Sequence, residues 1–373
     1  MPPFVRNLFR FQESGLVLII LVLGAVLTLF SDPVRVPLFE RAADGSRQRV
    51  FVTGPDGERA PAFVEKNKFL NVQTLAQLTK DTSFIAIMAV GMAIVIIAGG
   101  IDLSVGSIFA LSAVTGALVL RHYGPAGAAT GISPGMGVLF GSLACIGTGA
   151  LVGLINGGLI VGLRVHPFIV TLATMSILRG IAFVRTGGQS IGEFSPELRG
   201  AVRYELGEGL NLVPALVTLV VLIAGGIFLA RLITGRRVYA IGGNELAARF
   251  SGIRVERVKL VIYLLSGLTA GIAALLSLGY YGAATSGDAA GYELNVISAA
   301  VIGGASLNGG RGSALGVVLG ALIMQMISSG IVILGIDQNY SQVIQGLVLL
   351  AAVGLDNIKT WLAKRRLTAS KAS

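Results

Sequence analysis

Residues 89–107 read AVGMAIVIIAGGIDLSVGS, and apolar text continues on both sides, back to Thr82 and on to Leu120. About 20 apolar residues cross a bilayer as a helix, so two such runs in succession read as two spans. Gly99 and Gly100 end the first run, and Asp102 and Ser104 are placed to cap the next. The same break has a second, compatible reading: an unwound hinge, since polar groups at membrane depth are costly and tend to line cavities. It is not a phosphate-binding loop, because no lysine follows the glycines and G-x-x-x-x-G-K-[ST] occurs nowhere in the chain.

Composition extends this reading to the whole chain. Mean hydropathy is +0.80 and only 13% of residues are charged, more apolar surface than a soluble protein of this size hides. Glycine supplies 52 of 373 residues, about twice the ~7% of average proteins. Small residues let membrane helices approach closely. The net charge of +10 sits mainly in a few loops and the tail, which reads as membrane orientation rather than nucleic-acid binding. Cys145 is the only cysteine, so there is neither a disulfide framework nor a thiolate metal site. His122 and His166 are far apart and read as interfacial polar residues, so no metal site is expected. The first apolar run, Ser14 to Phe30, lacks a small-x-small cleavage pattern after it and reads as an uncleaved span.

The pattern predicts an all-α integral membrane protein of about ten transmembrane helices in one transmembrane domain, 1–373. The spans are placed near 14–30, 82–98, 103–120, 136–163, 167–185, 212–233, 260–281, 292–304, 314–334 and 341–358. Arg6 and Arg10, the basic loop 234–259, and the tail 359–373 with Lys359, Lys364, Arg365, Arg366 and Lys371 then share one side. That side is the cytoplasm, with both termini in it. The acidic 187–211 segment and the loop carrying Asp288 and Glu293 fall outside. Residues 31–71 are also outside, with balanced charge. Within them, RQRVFVTGPDGERAPAFV predicts two short extended runs around a Pro-Asp-Gly turn, a small periplasmic hairpin.

Further motifs stand in the remaining text. GGASLNGGRGS at 303–313 repeats the glycine-rich character of the first break about 205 residues later. It reads either as an internal repeat, as in transporters, or as chance similarity of glycine-rich text. Gly99, Gly100, Gly303 and Gly304 are the expected hinges. Glycines at four-residue spacing, Gly149, Gly153, Gly157 and Gly312, Gly316, Gly320, make smooth faces suited to packing within the subunit, or to a dimer seam. Arg179 in an apolar segment needs a partner or a cavity, or snorkels to the interface. Asn244 to Phe250, NELAARF, predicts a short helix capped by Asn244 and stopped at Gly252. Its apolar residues Leu246, Ala247, Ala248 and Phe250 suit a groove on a partner.

Taken together, AVGMAIVIIAGGIDLSVGS, HPFIVTLATMSILRGIA, GRRVYAIGGNELAARFSGI and GYELNVISAAVIGGASLNGGRGS resemble the membrane permeases of ribose-type bacterial ABC importers, from Asn71 to Asp356. The resemblance implies a homodimer in the inner membrane and a separate ABC ATPase that uses ATP and Mg. It also implies a periplasmic sugar-binding protein, and no cofactor on this chain. It assigns Gly243, Asn244, Glu245, Ala247, Ala248 and Gly252 to the ATPase-coupling loop, and Asp102 and Ser104 to the hinge motif. The insertion near 40–63 is longer than the family's loop. A polar, uncharged lining is expected from Ser104, Ser107, Asn156, Thr171, Thr174 and Asn295, with Asp102 also placed on the translocation pathway. An ion-coupled secondary transporter is the alternative, with only Asp102 and Arg179 as ionisable groups at membrane depth.

Overall fold

At the centre of the molecule is one helix, Val72–Ile97, buried along nearly its whole length from Thr82 onward. The computed structural model describes residues 13–354, apart from 42–46, 54–57, 125–126, 128–130, 195 and 207–209. The first and last charged segments and the Pro-Asp-Gly turn of the insertion therefore lie outside the described residues. In chain order the helices are α1 (Ser14–Phe30), α2 (Val72–Ile97), α3 (Val105–His122), α4 (Pro134–Leu163), α5 (Pro167–Thr186) and α6 (Pro196–Val202). There follow α7 (Val213–Arg231), α8 (Ile233–Gly243), α9 (Glu245–Phe250), α10 (Val255–Tyr281), α11 (Tyr292–Ile302) and α12 (Ala314–Ile333). A last helix covers 341–354. Among the described residues, α2, α3, α4, α5, α7, α10 and α12 are long and apolar enough to cross a membrane, seven in all.

Three differences from the sequence expectation have local causes. Helix α2 begins ten residues earlier than the apolar window because the Asn71 side chain accepts from Thr74 N at 2.8 Å. That cap starts an amphipathic first stretch, VQTLAQLTKD, which a hydropathy window passes over. The basic 234–259 segment is not simply a loop with a helical middle. Leu232 is extended, α8 starts immediately after it, and α9 follows at the Asn244 break. The 187–211 segment also holds structure the sequence did not announce, α6 and the paired strands β7 (Glu205–Leu206) and β8 (Leu210–Asn211).

The 31–71 insertion is a three-armed ribbon rather than one hairpin. Strand β1 (Pro33–Pro37) pairs with β6 (Phe63–Asn67), β2 (Phe39–Arg41) with β3 (Arg47–Arg49), and β4 (Phe51–Thr53) with β5 (Arg59–Pro61), all antiparallel. The arms meet where Leu38 N donates to Ala62 O, Val50 N to Leu38 O and Ala62 N to Val50 O. At its base Asn67 donates to Thr28 O, and Lys68 donates to Val332 O and Ile333 O. The ribbon is thus pinned to the ends of α1 and α12.

The bundle around α2 is closed by glycine contacts. Gly149 and Gly153 of α4 face Gly267 of α10 so closely that a Cβ at Gly149 would overlap Gly267 O, and one at Gly153 would overlap Tyr263 O. Gly316 and Gly320 of α12 pack in the same way on Gly303 and Ala299. Both spaced-glycine faces are therefore spent on packing within the chain.

Candidate functional site

The break between α2 and α3 is built around Asp102. Gly99, at φ +83°, turns the chain out of α2 in the left-handed region that favours glycine. Asp102 is fully buried. Its Oδ1 accepts from Ser104 N at 3.0 Å and from Ser104 Oγ at 2.6 Å, and its Oδ2 accepts from Ser266 Oγ of α10 at 2.8 Å. Asn156 of α4 donates Nδ2 to Ser104 Oγ at 2.8 Å. Asp102, rather than Ser104, thus holds the first free N–H of α3, and Ser104 makes no side-chain cap. The network joins α3, α4 and α10 across the break.

The remaining polar candidates bond mostly to backbone. Ser107 donates to Ser104 O, Thr171 to Pro167 O at 3.0 Å, and Thr174 to Thr171 O. Asp102, Ser104, Ser107, Asn156 and Thr171 are all fully buried. Asn295 stands apart on α11, and its Oδ1 is buried without a hydrogen-bond partner. Two residues the sequence reading passed over, Ser266 and Tyr263, complete the centre. Tyr263 is 1% exposed, and its hydroxyl donates to Ile101 O at 3.4 Å. The signal available for both was a polar atom inside the apolar text YLLSGLTAG. Arg179 has partners: its Nη1 donates to Ser286 O and Asp288 O, both at 2.7 Å. It anchors the loop between α10 and α11 rather than snorkelling.

Two cavities flank this centre. The larger, about 930 Å³, reaches Gly99, Gly100 and Tyr263 and opens between Arg164, His166, Glu245, Arg249, Glu256 and Lys259. The smaller, about 310 Å³, is lined by Phe109, Ser277, Tyr281, Thr285, Asp288 and Tyr292. They sit toward opposite ends of α10, with Tyr263 and Ser277 ~21 Å apart along the helix. None of the seven polar candidates lines either cavity. Those of the break are fully buried and open to neither.

Beside the larger cavity stands α9. Asn244 accepts from Ala247 N at 2.9 Å, and Gly252, at φ +82°, stops the turn. Glu245 is held by Lys259 at 3.0 Å, and Glu256 by Arg249 at 2.6 Å. Leu246 and Phe250 project outward, 66% and 83% exposed, whereas Ala248 is buried within the chain. Of the residues assigned to coupling, Ala248 therefore packs inward, and the outward apolar surface comes from Leu246 and Phe250.

The end of α8, next to α9, meets both glycine-rich breaks. Gly310 N donates to Ile97 O at 2.8 Å, and Tyr239 Oη donates to Gly312 O at 2.8 Å. Gly242 lies so close to this junction that a Cβ there would overlap Ile97 O and press on Gly310 N. Gly303 stays near helical geometry, while Gly304 takes φ +92°.

Residues 74–353 match the family described as branched-chain amino acid transport system / permease component. The chain is 36% identical over 293 residues to the Ribose import permease protein RbsC of Escherichia coli (strain K12), covering 78% of this chain and 88% of that protein. It is 39% identical over 305 residues to the protein of the same name in Bacillus subtilis (strain 168), covering 80% and 88%. It is 35% identical over 292 residues to the D-allose transport system permease protein AlsC of E. coli (strain K12), covering 78% and 85%. No solved structure matches it. With membrane-length helices around a polar break, the chain belongs to this family of transport-system permeases, a transport subunit and not an enzyme.

Proposed function

We propose that the chain forms the membrane pathway of an ATP-driven importer of monosaccharides. In this reading it crosses the bacterial inner membrane ten times with both termini in the cytoplasm, and the ribbon at 31–71 stands in the periplasm. Two copies pair, an ABC ATPase that hydrolyses ATP with Mg docks on the cytoplasmic face, and a periplasmic binding protein delivers the sugar. The proposal names Gly99, Gly100, Gly303 and Gly304 as hinges and the polar groups around Asp102 as the moving barrier of an alternating-access cycle.

The observation that carries this reading is α9. A capped, braced helix of six residues presents Leu246 and Phe250 to solvent, and the preceding helix ends against both breaks. An apolar helix face with charged flanks fits a groove on another protein. The neighbouring Ile97 and Gly310 give its movement a route to the barrier. Relatives named as ribose and D-allose permeases point to the sugar class.

The test is co-purification in detergent with candidate ABC ATPases of the same organism, wild type against Phe250→Asp. Phe250 is 83% exposed, so the substitution leaves the fold intact. Wild type retains the ATPase and the variant releases it. If both retain it equally, coupling does not run through α9. If wild type retains none, and D-ribose uptake follows an ion gradient instead of ATP, the importer reading falls to a secondary transporter.

A further inference from the structure

The smaller cavity has features that the barrier and the docking helix do not use. Its volume of about 310 Å³ is at the lower end for small-ligand sites and has room for one sugar ring. Its walls include three aromatic rings from three helices, Phe109 of α3, Tyr281 of α10 and Tyr292 of α11. These rings are fixed by their neighbours. Tyr281 Oη accepts from Lys80 Nζ at 3.3 Å, and Lys80 lies 4.4 Å from the Tyr280 ring centroid and 3.0 Å from Asp81. Phe109 and Tyr292 stand 6.2 Å apart, ring to ring. The loop wall is held as well: Asp288 accepts from Thr285 N and Thr285 Oγ1, while Arg179 grips the carbonyls of residues 286 and 288.

Behind this wall Glu293 Oε2 is buried without a hydrogen-bond donor. A Cβ built on Gly106 would lie 2.6 Å from both Glu293 Oε2 and Ala289 O, and Ala289 is part of the cavity wall. The lining itself, three aromatic rings with Ser277, Thr285 and Asp288, suits a ligand that donates hydrogen bonds and offers an apolar face to the rings. A neutral polyhydroxyl ring does both. A carboxylate would meet Asp288 in the wall with like charge.

Position gives the cavity its role. Ala289 packs on Gly106, two residues past Ser104, so the cavity adjoins the barrier on the face away from the larger cavity. We infer that it is a monosaccharide subsite, where the sugar rests against Phe109, Tyr281 and Tyr292 with hydroxyls directed to the polar lining groups Ser277, Thr285 and Asp288 before the barrier opens. This rests on the sugar-permease reading above and adds where, and by which groups, the sugar is held.

The chain's single cysteine, Cys145, is fully buried, so a thiol placed at Ser277 reports on the cavity alone. The assembled complex carrying Ser277→Cys is reacted in membrane vesicles with a small methanethiosulfonate. The rate is followed with D-ribose, D-allose, D-fructose or L-leucine at high millimolar concentration. At least one sugar slows labelling severalfold, leucine does not, and the protection disappears when Tyr292→Ala is added. Co-purified ATPase confirms that each variant is assembled, and Phe109→Ala replaces Tyr292→Ala if the latter does not assemble. A thiol that never reacts, a rate unchanged by every sugar, equal protection by leucine, or protection that survives the second substitution overturns the subsite. Wild-type uptake is scored separately. Sugar import without protection removes the subsite and leaves the permease reading, whereas protection without import removes the permease reading and leaves the subsite.

Discussion

At the scale of single residues, the chemistry of the barrier is set by Asp102. Every group facing its carboxylate is a donor: Ser104 N, Ser104 Oγ and Ser266 Oγ. Replacing the side chain by alanine strands these donors in a dry interior, and one buried unsatisfied group costs about 1–3 kcal/mol. Asp102→Ala is therefore expected to lose about 3 kcal/mol of stability, read as a lower melting temperature of the detergent-purified protein. Asp102→Asn keeps an acceptor for Ser104, and the rotatable Ser266 hydroxyl can turn to accept from the new amide. It is expected to lose about 1 kcal/mol and to keep uptake. Equal losses from the two variants would mean that the network is not what holds the break. Asp102, Ser104 and Asn156 were legible in the sequence as polar groups inside apolar text. Their mutual bonding was not, because Asn156 and Ser266 reach the break from helices 52 and 164 residues away.

At the scale of elements, helix positions followed directly from hydropathy, since α1, α5 and α12 start where the apolar runs do. What hydropathy could not supply was amphipathic structure, the first ten residues of α2 and the whole of α8, or the ribbon's outer pairing of β1 with β6, which joins residues far apart in sequence. The glycine spacing announced close packing but not its partner. The structure pairs α4 with α10, and there the prediction is sharp. Gly153→Ala would drive its Cβ into Tyr263 O and is expected to cost about 2 kcal/mol by overpacking. Gly158→Ala, on the same helix with nothing within 4 Å of its would-be Cβ, is expected to gain up to about 1 kcal/mol from helix propensity. Thermal melting of the two variants side by side checks the assignment. A neutral Gly153→Ala would show that the two helices are not in register at that contact.

At the scale of the whole molecule, three parts that the sequence keeps far apart meet at one point. The end of α2, the second glycine-rich break and the end of α8 come together at Ile97, Gly310 and Gly242. Leu246 and Phe250 lie just beyond Gly242 on α9, and Asp102 lies just beyond Ile97. A displacement of α9 therefore has only a few residues to travel before it reaches both the break and the barrier. Packed interfaces transmit such shifts because they have few alternative arrangements. Gly242→Ala tests the link without touching either end. Its methyl group would overlap Ile97 O and crowd Gly310 N, so α8 must move off the junction, while the outward face of α9 is unchanged. The variant is expected to retain the ATPase in co-purification and still hydrolyse ATP. Sugar uptake per ATP hydrolysed is expected to fall on the order of tenfold, the size of a typical coupling between sites. Uptake and hydrolysis that fall together would place Gly242 in docking itself. An unchanged ratio would mean that the motion of α9 reaches the barrier by another route, through the Glu245–Lys259 bridge and α10.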